Sequence, residues 1–460
     1  MTGTPERLRY ENLAKSAHIR FLLLRVIAAA VLVAAAVTAN APLSWAALLV
    51  LAYFWLFMLG RRLTFLRNLR DLHRLQADSQ DGEHDALPGV TIIAPARNEA
   101  AVVEKAVRTL AALDYPKLET LVVNDHSTDA TGAILDRIAA ASPNVRVIHD
   151  PPVQEGWLGK ANAIWYAVHQ ADPDNKWLLL ADADVECHPK ALRRAVAYAE
   201  AAKADFVTCI PRLENGSMAE ELVIPSKWRA LVRTAPLNRA GDTSHRALGI
   251  GAFTLVTRKA YLESGGHSAF YDEQPEDTLL AMLIKRCGGA MAVVWTSDMV
   301  RVRLYRGLKD LVASYTRKNR VVLDDAAYVF VSQALFHLLT TVFPLLFAVA
   351  MVAHQAARGA FVFPLAVSAL IGLSIYYIEA KDYLSSRPLC RMRAITPWLH
   401  PIGGLLLTWI ELMSIKQAVL KQSMHWRGRS FANVRTENPT TAANAAPPAD
   451  EADEEDHHPE

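Results

Sequence analysis

Acidic residues lie where the sequence predicts that buried strands end. Asp182 and Asp184 form an Asp-x-Asp pair directly after the apolar run Trp177–Ala181, and Asp125 follows the apolar run Leu121–Asn124. Acidic side chains that crowd one edge of a sheet repel one another unless a cation or hydrogen-bond donors lie between them. The Asp182/Asp184 pair suits a hard divalent ion that keeps water ligands and bridges substrate phosphates. The alternative is that these acids are solvated loop residues.

The first two predicted strand ends also carry polar groups suited to a ligand. The first strand ends in Pro95-Ala96-Arg97-Asn98-Glu99. At the second, Asp125 can accept hydrogen bonds from a base or a ribose. Ser127, Thr128 and Asp129 follow it and are typical of residues that cap the next helix. Capping and ligand binding are compatible, so we expect both at this edge.

The elements that must position these residues form an α/β domain between about residues 81 and 320. Short β-branched or apolar runs alternate with helix-like segments, and the runs do not alternate in polarity. This pattern is typical of a mainly parallel sheet covered on both faces. In such sheets, ligands bind beyond the carboxyl ends of the strands. The predicted strands are Val90–Ala94, Leu121–Asn124, Val145–Ile148, Trp177–Ala181, Phe206–Ile210 and Ala292–Trp295.

Apolar residues are concentrated at the two ends of the chain. Residues 21–60 predict a hairpin of two transmembrane helices, since each stretch is about long enough to cross a bilayer core. A signal peptide is the alternative for the first stretch. Val329–Ala353 and Ala360–Ile378 predict two further spans, and Trp398–Met413 predicts a third span or a re-entrant or interfacial segment. Arginine and lysine on both flanks of the hairpin place both flanks in the cytoplasm.

These segments divide the chain into six predicted regions. They are a cytoplasmic N-terminus (1–20), the transmembrane hairpin (21–60), a basic linker (61–86), the α/β domain (87–320), a C-terminal membrane region of two or three helices (321–420) and a basic, then acidic, disordered tail (421–460).

Composition narrows the class of protein further. Hydrophobic residues make up 52% of the 460, and charged residues only 21%, which is too apolar for an ordinary soluble protein. Lysine and arginine (49) nearly balance aspartate and glutamate (47), so the sequence lacks the basic excess of a nucleic-acid binder. The four cysteines contain no Cys-x-x-Cys pair, which disfavours a disulfide framework or a structural zinc site. No Gly-x-Gly-x-x-Gly segment occurs, which disfavours a dinucleotide-binding dehydrogenase.

In combination and in order, these motifs resemble those of inverting family 2 glycosyltransferases with a GT-A fold and membrane anchors. The matching residues are Pro95 to Glu99, Asp125, Gly159-Lys160, the Asp182/Asp184 pair and Pro275-Glu276-Asp277. The helix layout most resembles the membrane-bound branch that includes hopanoid-associated, carotenoid and ceramide glycosyltransferases. The resemblance implies transfer of a sugar from a UDP- or GDP-linked nucleotide sugar at the cytoplasmic face of the inner membrane.

The resemblance also implies roles for individual residues on the donor side. Pro95, Arg97, Glu99 and Asp125 would surround the base and ribose of the nucleotide, and Lys160 would lie near its phosphates. Asp182 would contact the ribose or metal-bound water, and Asp184 would ligate Mg²⁺ or Mn²⁺. The alternative for Lys160 is a surface lysine at a helix start, where a positive charge is slightly unfavourable.

The resemblance makes Asp277 the general base and places Glu276 beside it in the catalytic pair. Inversion needs a carboxylate within hydrogen-bond reach of the acceptor hydroxyl, on the face opposite the leaving group. The alternative is that both are acids in the first turn of a helix, where they complement its dipole. The segment Gly249-Ile250-Gly251-Ala252 resembles the acceptor side of the family's site, and Gly251 would let the backbone approach a sugar or acceptor closely.

One departure from the family limits the expected product. Processive members have a Gln-x-x-Arg-Trp motif after the base, whereas the corresponding segment here, residues 315–320, contains neither glutamine nor tryptophan. We therefore expect a single sugar transfer to a membrane lipid. The alternatives are transfer to a polyprenyl phosphate or a polysaccharide, and a non-catalytic membrane scaffold that retains a glycosyltransferase-like domain.

Overall fold

The computed structural model describes residues 15–38, 41–78, 87–234, 247–296, 298–323, 327–358, 363–420, 424–426 and 429–431. Most of the predicted cytoplasmic N-terminus and of the predicted disordered tail lie outside the described residues.

Short β-branched and apolar runs form the strands of the central domain. Six of them extend or match the predicted runs, and β4 and β6 have the predicted bounds. The described strands are β1 (Val90–Ala96), β2 (Leu118–Asn124), β3 (Val145–His149), β4 (Trp177–Ala181), β5 (Val185–Cys187), β6 (Phe206–Ile210), β7 (Arg212–Leu213), β8 (Phe253–Thr257), β9 (Met291–Trp295), β10 (Val300–Val302), β11 (Met424–Trp426) and β12 (Arg429–Phe431).

Seven of these strands form one sheet in the order β3-β2-β1-β4-β8-β6-β9. Strands β1 to β4 are parallel to one another, β8 is antiparallel to both β4 and β6, and β9 is parallel to β6. A smaller sheet has the order β5-β10-β7. The predicted mainly parallel α/β fold of the GT-A type is confirmed, with apolar helices at both ends of the chain.

Helices alternate with the strands and continue into the terminal regions. They are α1 (Lys15–Thr38), α2 (Ala41–Asp78), α3 (Val103–Ala111), α4 (Thr131–Ala141), α5 (Gly159–Gln170), α6 (Ala191–Ala201), α7 (Met218–Thr234), α8 (Arg258–Glu263), α9 (Glu276–Arg286), α10 (Gly307–Leu323), α11 (Ala327–His337), α12 (Phe343–Arg358), α13 (Phe363–Ser385) and α14 (His400–Val419). Helices α3 to α6 and α9 pack against the strands of the domain.

The apolar helices are long enough to cross a membrane. Among the described residues, four segments meet length and composition requirements for a span: Ser44–Arg70, Tyr328–Ala357, Phe363–Ser385 and Thr396–Gln417. A shorter apolar segment, Leu22–Ala34, lies in α1. The C-terminal region thus contains three candidate spans, where the sequence left two or three open.

Helix α2 continues well beyond the predicted hairpin. The segment predicted as a basic linker, residues 61–86, is helical as far as Asp78. Phe65 of this extension is fully buried in the core of the α/β domain, and the Asn68 amide donates a hydrogen bond of 2.7 Å to the carbonyl of Val232. The extension therefore connects the apolar hairpin to the core of the α/β domain.

Charged residues of α7 hold the domain against α13. Arg229 donates a hydrogen bond of 2.8 Å to Glu379, and Arg233 donates one of 2.6 Å to Asp382. Arg62 of α2 donates to the other oxygen of Asp382 at 2.6 Å. All of these side chains except Arg62 are less than a tenth exposed. Buried ion pairs of this kind are costly to break, because the remaining charge loses its partner.

Helix α14 lies against elements of the α/β domain as well as against α11. A Cβ at Gly403 would lie 2.5 Å from the carbonyl oxygen of Leu222 in α7. Asn319 of α10 donates a hydrogen bond of 3.0 Å to Ser414. The opposite face of α14 exposes a row of large apolar side chains: Ile402, Leu405, Trp409 and Leu412.

Candidate functional site

The carboxyl ends of β1, β2 and β4 meet at one edge of the sheet because these strands are parallel neighbours. A cleft lies there. Its lining includes six of the predicted site residues: Pro95, Lys160, Asp182, Gly251, Glu276 and Asp277.

Arg97 and Asp125 lie beside each other where β1 and β2 end. The Arg97 guanidinium donates a hydrogen bond of 2.7 Å to the carbonyl of Asp125, and the Asp125 amide donates to the carbonyl of Ala96 at 2.8 Å. The Glu99 amide donates to the hydroxyl of Thr131, at the start of α4. Of the three predicted capping residues, Asp129 accepts a hydrogen bond of 2.9 Å from the Thr131 amide at the start of α4, whereas Ser127 accepts one from the Asn98 amide. These bonds fix the two strand-end loops relative to each other.

Lys160 joins two acids that are distant in the sequence. Its ammonium group lies 2.7 Å from Asp182 Oδ1 and 2.8 Å from Glu276 Oε1. Burial disfavours the charge on Lys160, but the two carboxylates outweigh this and hold its pKa well above the ordinary value. Burial alone would raise the pKa of Glu276, yet Lys160 lowers it to about 2. Lys160 and Glu276 are therefore charged at neutral pH, and Lys160 links Asp182 and Glu276 in one cluster.

Asp277 is held differently from its neighbour. Its Oδ2 accepts a hydrogen bond of 2.8 Å from the Gly251 amide, and its Oδ1 accepts one of 2.7 Å from the Thr278 amide. Burial, together with the adjacent charge of Glu276, raises the pKa of Asp277 to about 6. Asp277 is thus a fixed carboxylate whose proton affinity is suited to general-base chemistry near neutral pH.

Two glycines allow the segment before β8 to approach these acids. A Cβ at Gly249 would lie 1.9 Å from the carbonyl oxygen of Asp277, which is backbone and cannot rotate away. A Cβ at Gly251 would lie 3.3 Å from Asp182 Oδ2 and 3.4 Å from Lys160 Nζ. The absence of side chains at both positions keeps the space beside Asp182 and Asp277 open.

Asp182 and Asp184 follow β4, as the sequence predicts, and they precede the short strand β5, which was not predicted. Within the described ranges, no group of three or more histidine, cysteine, aspartate or glutamate side chains could hold a metal by itself. A hard divalent ion needs only one or two protein carboxylates when water and substrate phosphates complete its shell. The donors at this strand end therefore fit Mg²⁺ or Mn²⁺ bound together with a diphosphate.

Sequence reasoning missed two polar residues of the cleft, Thr254 and the ionisable His267. His267 is the one with acid–base chemistry. It is 1% exposed and lies on the cleft lining with Lys160 and Asp277. A signal was present, because Gly265-Gly266-His267 places two consecutive glycines just before a histidine and shortly before the Glu276-Asp277 pair.

Comparison with known proteins identifies the domain. Residues 91–263 match the profile of glycosyl transferase family 2. The predicted resemblance to family 2 is therefore confirmed over this range, whereas the narrower branch stays a prediction.

Two curated relatives are similar to part of the chain. The beta-monoglucosyldiacylglycerol synthase of Synechocystis sp. is 33% identical over 166 residues, which is 34% of this chain and 34% of that protein. The poly-beta-1,6-N-acetyl-D-glucosamine synthase of Staphylococcus aureus strain COL is 27% identical over 186 residues, 39% of this chain and 42% of that protein. The matches thus span between about a third and two fifths of these relatives' lengths.

Among solved structures, the chain is similar to the mannosyltransferase PcManGT of Pyrobaculum calidifontis in complex with GDP-Man and Mn²⁺. The two share 18% identity with a TM-score of 0.43, over 81% of this chain and 98% of that one. The similarity to glycosyl transferase family 2 thus covers residues 91–263, which include the strand ends at Arg97, Asp125 and Asp182.

Proposed function

We propose that the chain is an inverting glycosyltransferase that moves one sugar from a nucleotide-diphosphate sugar to a membrane lipid. The observation that supports this most is the convergence of Asp182, Glu276 and Asp277 around Lys160 in one cleft of a family 2 domain. The name of the Synechocystis relative refers to diacylglycerol, a lipid, which favours a lipid acceptor. The apolar helices on both sides of the domain would keep the cleft near such an acceptor.

In this proposal, each predicted residue acts on one part of the substrates. Pro95, Arg97, Glu99 and Asp125 bind the nucleoside, and their fixed loops support that role. Lys160, held between two acids, has the charge needed to meet a diphosphate when the donor enters. Asp277 accepts the proton of the acceptor hydroxyl as that oxygen attacks the anomeric carbon of the sugar. Glu276 keeps Lys160 in place and raises the proton affinity of Asp277.

A divalent ion fits the donor side of the proposed site. Asp184, with Asp182 beside it, would hold Mg²⁺ or Mn²⁺ against the diphosphate. When bound, such an ion offsets the charge that develops on the departing nucleoside diphosphate.

The substitution Asp184→Asn tests the metal proposal. We expect it to remove the increase in nucleoside-diphosphate affinity that Mn²⁺ produces, because the amide oxygen carries no negative charge. The loss should be at least as large as the about 10–100-fold that substituting a partner of a metal ligand costs. Titrating UDP and GDP onto detergent-solubilised protein, with Mn²⁺ or with EDTA, measures it. Glu186→Gln, two residues further along, is the matched control, and full metal dependence in Asp184→Asn would contradict the assignment.

The substitution Gly249→Ala tests whether the segment before β8 must touch Asp277. The new methyl group would overlap the Asp277 carbonyl, so the segment must move away from the acid. We expect the rate of sugar transfer to fall by about 10²-fold, because a displacement of about 1 Å at an active site can lower the rate by this factor. Gly60→Ala is the control, since a Cβ there has no neighbour within 4 Å. Equal rates for the two variants would show that the contact is dispensable.

We also propose that the domain lies at the cytoplasmic face of the inner membrane. Helix α14 would lie at the membrane surface, because it packs on α7 and α10 and exposes an apolar row on its other side. This placement keeps the basic segment after Lys416 in the cytoplasm, as charge bias requires.

A reporter fused after Arg74 tests this topology. We expect cytoplasmic labelling there, because α2 continues from the apolar hairpin directly into the catalytic domain. A reporter inserted after Thr38, between α1 and α2, should be labelled from the opposite side. Periplasmic labelling after Arg74 would overturn the proposed orientation.

Donor hydrolysis tests the class of reaction. Purified protein in detergent with Mn²⁺ or Mg²⁺ should release nucleoside diphosphate from at least one member of a panel of UDP- and GDP-sugars. Folded protein that neither binds nor hydrolyses any member would favour the non-catalytic scaffold instead.

A further inference from the structure

His267 is a buried polar residue of the cleft, and the proposed reaction described above assigns it no role. It lies in the short 3₁₀ segment Gly266–Phe270, between α8 and α9. It is 1% exposed, and it lines the cleft beside Lys160, Gly251 and Asp277. Buried polar groups in proteins nearly always have a hydrogen-bond partner, so we expect a partner for each ring nitrogen of His267.

Tyr261 determines which ring nitrogen of His267 has the proton. Its hydroxyl lies 2.8 Å from His267 Nδ1 and accepts a hydrogen bond of 3.3 Å from the His267 backbone amide. Tyr261 is fully buried, so its O–H proton must be donated within the protein. Within the described part of the chain, Nδ1 is the acceptor in reach. The proton of the neutral ring is therefore on Nε2, the nitrogen turned away from Tyr261.

The backbone conformation around His267 places its ring against Tyr261. Gly265 and Gly266 both have positive φ angles, 88° and 49°. A Cβ at Gly266 would lie 2.5 Å from the Tyr261 ring. Burial lowers the pKa of His267 to about 4, so the ring stays neutral at physiological pH. The imidazole of this cleft-lining residue is thus neutral and of fixed tautomer, with its proton on Nε2.

We propose that His267 Nε2–H donates a hydrogen bond to a hydroxyl of the sugar being transferred. This inference rests on the proposed function, since it requires a nucleotide sugar in the cleft. The Lys160 ammonium suits the charged diphosphate, whereas a neutral donor suits a neutral hydroxyl. A sugar lacking that hydroxyl would leave Nε2–H buried without a partner, which makes such a contact selective.

The substitution His267→Phe separates sugar binding from nucleotide binding. The probes are UDP and GDP alone, and the UDP- or GDP-sugar that the wild-type protein hydrolyses fastest among glucose, N-acetylglucosamine, galactose and mannose derivatives. We expect nucleoside-diphosphate affinity to stay within about twofold and the affinity for the intact nucleotide sugar to fall by about tenfold. His169→Phe is the control, since His169 lies at the far end of α5 from Lys160, roughly 13 Å along the helix.

Two milder variants keep the test valid if His267→Phe fails to fold. His267→Gln retains an N–H donor and should recover part of the sugar affinity. Tyr261→Phe removes the hydroxyl that fixes the tautomer and should weaken sugar binding several-fold, with nucleoside-diphosphate affinity unchanged. Equal affinities for the nucleotide sugar in wild type and variants, or an equal loss for nucleotide and nucleotide sugar, would overturn the role of His267. Absence of nucleotide binding and hydrolysis by the wild-type protein would instead overturn the proposed function itself.

Discussion

Asp277→Asn is expected to lower the rate of sugar transfer by about 10³-fold, within the range that general bases contribute. Asparagine has nearly the same shape and can still accept the hydrogen bond from the Gly251 amide. It cannot accept the proton of an attacking hydroxyl. Nucleotide-sugar affinity should therefore change little, because the donor-binding residues Arg97, Asp125 and Lys160 are untouched. Steady-state rates and equilibrium binding on the same preparation measure the two effects.

The pH dependence of the wild-type protein gives a second readout for Asp277. Its pKa is raised to about 6, so the carboxylate is ionised above this pH and protonated below it. Only the ionised form can act as a base. The transfer rate should therefore fall as the pH decreases through about 6. Rapid transfer by Asp277→Asn, or a rate that stays constant down to pH 4, would refute the assignment of Asp277 as the base.

Arg229→Ala is expected to destabilise the protein by about 3–5 kcal/mol, the cost of leaving a buried charge without its partner. Arg229 is 2% exposed and Glu379 is 4% exposed, at a separation of 2.8 Å. The guanidinium also stacks over the ring of Tyr383 at 4.0 Å. Removing it leaves the Glu379 carboxylate buried at the junction between α7 and α13. Chemical denaturation of the protein in detergent measures the change in free energy of unfolding.

Two control variants distinguish the effect of breaking the buried Arg229–Glu379 pair from the effect of removing any arginine. Arg108→Ala removes a half-exposed arginine that pairs with Glu104 one helical turn away, and should cost less than about 1 kcal/mol. The double substitution Arg229→Met/Glu379→Leu removes both charges and should recover most of the lost stability. A loss from Arg229→Ala no larger than that from Arg108→Ala would contradict the structural role of the junction.

Local sequence pattern predicts the strands well because their signals are contained within a few residues. Trp177–Ala181 is a continuous apolar run between Lys176 and Asp182, and it forms β4 with those bounds. The strand ends then place Asp125, Asp182 and Asp184 at one edge, as parallel pairing requires. The fold class and the location of the site follow from this pattern.

Contacts between distant segments could not be predicted in the same way. Helix α7 has Pro225 in its interior, which disfavours predicting a helix there. Its arginines have the spacing of a solvent-exposed face, and only the tertiary structure shows that they pair with Glu379 and Asp382 of α13. The ion pair of Lys160 with Glu276 depends on how α5 and α9 approach each other. The hydrogen bond between Tyr261 and His267 requires a backbone path through two glycines with positive φ.

Transfer of a labelled sugar into lipid is the most direct test of the proposed glycosyltransferase activity. Wild-type protein in detergent is incubated with Mn²⁺, each of a panel of labelled UDP- and GDP-sugars, and a total lipid extract from the source cell. We predict one labelled glycolipid carrying a single added sugar, formed from one donor by wild type and not by Asp277→Asn. A polymeric product would contradict single transfer. No labelled lipid from any donor, with folded protein and intact lipids, would contradict the proposal of a lipid glycosyltransferase.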